Sequence, residues 1–101
     1  MINYPKTVKI EVTEFDIQQG DQISVHCCPV GLAVQRHFGV APADVQVAVA
    51  EVIVDDADNA RFAYYVPDEA SQDWMVKFDA EGADAVDPTT ITMHLEGVAT
   101  L

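Results

Sequence analysis

His26, Cys27, Cys28, His37 and His94 carry the side chains best able to hold a metal ion or attack a substrate. Zinc takes four such ligands in a tetrahedron. Two of the sulfurs here are adjacent, and neighbouring side chains of an extended segment point apart. There is no C-x2-C pair, and a helix starting at Pro29 would carry His37 about 12 Å along its axis. The spacing argues against a structural metal, and no cofactor is expected.

Nucleophilic chemistry fares little better. Cys28 directly precedes Pro29, so as an N-cap it would feel the helix dipole, which lowers a thiol pKa. A cysteine-dependent phosphatase spaces its thiol and arginine as C-x5-R, whereas Arg36 lies eight positions beyond Cys28. The alternatives are an anion site and a cysteine-dependent enzyme. In the first, the amides at Cys28 and Val30 would meet a phosphate of a nucleotide ligand, with Arg36 and Arg61 as clamps. Neither GxGxxG nor GxxxxGK[ST] is present to support a nucleotide.

The acids form the other constellation. Asp55, Asp56 and Asp58 cluster in "DDADNA", and Asp68, Glu69 and Asp73 follow across Pro67. A calcium loop would need D-x-[DN]-x-[DN]-G with a later glutamate, which is missing, so no metal is assigned to them. Turn chemistry accounts for the first three. The helix dipole accounts for acids at a helix start. Together the six are the candidate contacts for a basic partner.

Positioning these groups falls to a short series of elements. Val8, Ile10 and Val12 alternate with polar residues, which predicts a half-buried strand. Thr13 and Asp16 form a weakened capping box, with room for one helical turn before Gly20. Residues 21–27 read as a connector. Pro29 suits a first helical position, and Val30, Ala33, Val34 and His37 or Phe38 give one apolar stripe. Gly39 is placed to stop that helix. Gly31 stands inside it where a better helix former would be usual.

The β-branched run from Val45 to Val54 reads as one strand, joined through the acidic turn to "RFAYYV" as a hairpin. Asp68 caps a second helix through Glu81, with Ala70, Trp74 and Phe78 as its inward stripe and Gly82 as its stop. "TTITMHLE" alternates as a final strand, with Ile91, Met93 and Leu95 inward and the residues from Gly97 to Leu101 fraying. Strand, helix, strand, strand, helix, strand predicts a two-layer α+β domain over residues 1–101. Its helices would lie on one face of a largely antiparallel sheet. Ferredoxin-like connection is one way to join these elements.

Composition narrows the function classes. With 50% apolar and 22% charged residues the chain should fold rather than stay disordered. No apolar run is long enough to span a membrane, and "MINYPKTVKIEV" lacks a secretory h-region. A cytoplasmic protein with two thiols is therefore expected. Seventeen acids against five bases give a formal charge of −12, which weighs against direct nucleic-acid binding.

"CPVGLAVQRHF" after a short strand, "YYVPDEA" opening the second helix and "FDAEGADAVDP" leading to "ITMHL" resemble small accessory proteins of tailed bacteriophages and prophages. The resemblance runs from about Val8 to Leu95. It implies an accessory protein acting in the cytoplasm of a bacterial host, and carries no catalytic residues with it. The expectation is a non-enzymatic protein that binds and inhibits or modulates a host or defence protein through its acidic surface, alone or as a homo-oligomer.

Overall fold

The computed structural model describes residues 1–100. Strand β1 (Thr7–Val12) leads through Thr13 into helix α1 (Glu14–Gln19), and helix α2 spans Pro29–Phe38. Strands β2 (Val45–Ala48), β3 (Glu51–Asp56) and β4 (Arg61–Pro67) follow, then helix α3 (Glu69–Glu81) and strand β5 (Thr89–Thr100). The sheet order is β1-β5-β4-β3-β2, and every neighbouring pair is antiparallel.

The alternating pattern of the sequence selects one face. Val8, Ile10, Val12, Val45, Val52, Val54, Ala63, Tyr65, Ile91 and Met93 are all buried on it. Ile17 of α1, Val30, Ala33 and Val34 of α2, and Met75 and Phe78 of α3 complete the same cluster. This is the expected two-layer α+β arrangement with helices on one face.

Four details differ from the sequence reading. A ferredoxin-like sheet would place its first strand in the interior, between the last strand and the third. Here the first strand lies at an edge and meets only the last, antiparallel to it. The Val45–Val54 run is two strands folded back at Val49–Ala50, so Val47 faces Val52. In α3 the buried stripe is Ser71, Met75 and Phe78, while Ala70 is exposed and Trp74 half-buried. Strand β5 does not fray at Gly97; a bulge between Tyr64 and Tyr65 resets the register and Thr100 still pairs with Arg61. Leu101 lies outside the described residues.

The segment before β1 is tied across the end of the sheet. Tyr65 donates its hydroxyl to the Pro5 carbonyl at 2.7 Å, and Tyr4 donates to the Val54 carbonyl at 2.8 Å. Burial pushes both phenols up to about 12. Tyr65 is fully buried. Tyr65→Phe will therefore leave the Pro5 carbonyl unmatched and cost about 1 kcal/mol in urea denaturation, with the slope of the transition unchanged.

Candidate functional site

The helix that opens at Cys28 is built as its sequence implies. Cys28 caps it, its Sγ accepting from the Gly31 N–H at 3.4 Å, and Gly39 closes it in the left-handed conformation. That cap is inert. Cys28 is 7% exposed, and burial pushes its thiol up rather than down. Cys27 is half-buried and both cysteines are free thiols.

The alternative anion site at Cys28, Val30, Arg36 and Arg61 is not assembled. Val30 is buried, and the cysteine sulfur already occupies the Gly31 amide. Arg36 sits in the last turn of α2 and forks onto Asp16 at 2.8 and 2.9 Å, with a further bond to the Glu11 carbonyl. Arg61 donates to Asp56 at 3.3 Å and to the Ile2 carbonyl, and its guanidinium lies 4.9 Å over the Tyr4 ring. Both arginines are committed to carboxylates inside the fold.

The histidines likewise go to three places. His26 Nδ1 lies 2.6 Å from the Val45 carbonyl oxygen, His94 Nδ1 lies 3.2 Å from the Thr7 hydroxyl, and His37 packs edge-on against Phe38. Among the described residues no group of three His, Cys, Asp or Glu side chains is placed to hold a metal ion.

The six candidate acids divide. Asp55, Asp56 and Asp58 lie where β3 turns into β4, whereas Asp68, Glu69 and Asp73 lie beyond the other end of β4. Seven residues of strand separate the groups by about 20 Å. Asp68 is engaged as the α3 cap: the Ser71 hydroxyl and amide hold its carboxyl below the usual range. Glu69 and Asp73 stand exposed on the first turns of α3. Asp56 is 5% exposed, and it corrects the expectation of a surface contact. Bonds from the Ile2 amide, Asn59 and Arg61 hold its carboxyl low, so it anchors the N-terminal segment.

What remains is a groove of about 550 Å³ between the end of α2, the β3–β4 turn and the N-terminal segment. Asp44, Asp55 and Asp58 line it, beside His37, Phe38 and Ile2. The β2–β3 register pairs Val45 with Val54, so the next position outward sets Asp44 opposite Asp55. Burial raises the Asp55 carboxyl, and the Asp44 charge raises it further. The ion pairs among the described residues are Arg36–Asp16 and Arg61–Asp56, and neither neutralises Asp44, Asp55 or Asp58. Asp44 escapes sequence reasoning because it is a lone acid 11 positions before Asp55; only strand pairing joins them.

The fold and groove define a small two-layer α+β domain with an acidic concavity. No family model, curated protein or solved structure matches the chain. No helix among the described residues is long and apolar enough to cross a membrane.

Proposed function

We propose that this is a non-enzymatic binding protein that receives a basic segment of a partner protein in the acidic groove. The observation that supports this reading is the set of carboxylates at Asp44, Asp55 and Asp58 lining one concavity, none of them in either ion pair of the described residues, although Asp44 also accepts from the Ala41 N–H. Like charges held together on a fixed backbone leave a negative potential that a lysine or arginine relieves. The same potential repels phosphates, which disfavours a nucleotide or a nucleic acid as occupant. The resemblance to phage accessory proteins would make the partner a host or defence protein, inhibited or modulated on binding.

The test is capture from bacterial lysate by the immobilised protein and by its Asp44→Asn/Asp55→Asn/Asp58→Asn variant. A captured protein should fall at least about tenfold with the variant, and fall again as salt is raised. Equal capture by the variant, or no specific capture by the wild type, defeats the reading. The variant should fold as well as the wild type, since removing facing like charges relieves repulsion.

A further inference from the structure

A second concavity lies at the other end of α2. It holds about 190 Å³ between residues 20–28, β2 and α3, with Val30, Val47, Trp74, Met75 and Phe78 among its walls and Asp79 as its carboxylate. Trp74 and Phe78 stack with ring planes 5° apart and centroids 6.0 Å apart. The lip is formed by Ile23 and Val25, which are 80% and 50% exposed.

The lip is held in place at some cost. Ile23 has φ of 56°, in the left-handed region that β-branched residues rarely adopt. The Asp79 carboxylate accepts from its N–H at 3.0 Å. The Gln22 amide donates to the Phe78 and Asp79 carbonyls, and the Val25 carbonyl accepts from the Val47 N–H at 2.8 Å. These bonds fasten the loop to α3 and β2 in a shape that turns an isoleucine into water. Core packing gives no reason for that, and strained, over-determined residues cluster at ligand clamps.

Charge selects the occupant. Asp79 lines the groove, and in the sequence Asp21, Glu51 and Asp73 lie within two residues of its wall against the single base Lys77. A second copy would bring another −12 against this one and be repelled. We infer that the groove between Ile23, Trp74 and Asp79 docks a basic protein segment that inserts one large apolar side chain against Trp74, under the lip of Ile23 and Val25. This shares with the proposed function the basic character of the partner but uses a separate surface.

Trp74 is the only tryptophan, so its emission reports occupancy. The probe is the peptide Lys-Lys-Leu-Phe-Lys-Lys, with Lys-Lys-Ser-Ser-Lys-Lys as control. The first should give a saturable blue shift and the second none. Ile23→Gly and Val25→Ser should each raise Kd at least about tenfold. Ile23→Gly should at the same time raise the melting temperature by about 4 °C, because glycine relieves the left-handed strain. Weaker binding by a more stable protein cannot be misfolding.

The Asp44→Asn/Asp55→Asn/Asp58→Asn variant should keep the full response, which separates this site from the acidic groove. The assignment is overturned by no saturable shift up to about 1 mM peptide, by an equal shift with the serine control, or by an unchanged Kd in Ile23→Gly. It is also overturned by loss of the response in the triple variant, or by a shift that grows with protein concentration alone, which would place a second copy there.

Discussion

Arg36→Ala will destabilise the protein by about 2 kcal/mol, and Asp16→Ala by about 3 kcal/mol. Asp16 does two jobs at once. Its carboxylate accepts from the Thr13 N–H at 2.9 Å while the Thr13 hydroxyl accepts from its own N–H at 3.2 Å, which caps α1 reciprocally. The same carboxylate receives the Arg36 fork from α2, 20 residues away. Its side chain is 1% exposed, so losing Arg36 leaves a buried charge with only the Thr13 partners. Breaking a buried pair costs about 3–5 kcal/mol. The Arg36 side chain is 52% exposed, and solvent screening reduces that figure for this pair.

The pH dependence follows from the same contacts. Burial alone would raise the Asp16 carboxyl, but Arg36 and the Thr13 donors outweigh it and hold it below its usual value. A carboxylate with a depressed folded pKa contributes stability above its unfolded pKa of about 3.9, and loses it as pH falls through the folded value. Urea midpoints should therefore drop steeply below about pH 4. Asp16→Asn should be less stable at pH 7 and show a shallower acid slope. Asp56 and Asp68 share the direction of shift, so the slope should shrink without vanishing. An Arg36→Ala variant within about 0.5 kcal/mol of wild type would show that the fork contributes nothing.

Local signals carried most of the element boundaries. Cys28, Pro29 and Gly39 mark α2 because caps act within one turn of the residues they serve. The turn at Val49–Ala50 was illegible for the opposite reason. It holds no glycine, proline or asparagine, and its one trace is a change of phase from Val45, Val47 and Val49 to Val52 and Val54, which a single bulged strand would also show. The α3 stripe keeps Phe78 but takes Ser71 and Met75 in place of Ala70 and Trp74; the Ser71 hydroxyl accepts from the Thr92 N–H of β5, a contact that hydrophobic spacing does not reveal.

The sites were less legible than the elements. The fork from Arg36 to Asp16, the facing of Asp44 and Asp55, and the groove under Ile23 each join segments that only tertiary packing brings together. A sequence shows that arginines and acids exist. It does not show which arginines are already neutralised, and here that decides which acids lack an ion-pair partner.

Gly31→Ala will destabilise the protein by about 2 kcal/mol, although alanine is the better helix former by about 1 kcal/mol. Gly31 has an ordinary helical backbone, since its φ is not positive, so strain is not the reason for glycine there. Space is. A Cβ at this position would sit 2.5 Å from the His26 carbonyl oxygen and 3.1 Å from its carbon. That carbonyl cannot easily withdraw. The Gln35 amide donates to it at 2.7 Å, the Cys27 carbonyl accepts from the Asp21 N–H, and the Cys27 N–H donates to the Ser24 hydroxyl. The loop is thus clamped against the first turn of α2, and the close approach lets residues 21–28 cross that turn and reach β2. Pushing it outward would loosen the His26 contact to Val45 and the bond from Val47 to Val25. Gly97→Ala is the control, because no atom lies within 4 Å of a Cβ there and its φ is not positive. It should be neutral or slightly stabilising. If Gly31→Ala instead matched Gly97→Ala in thermal unfolding, the glycine would be dispensable and the loop would not be clamped.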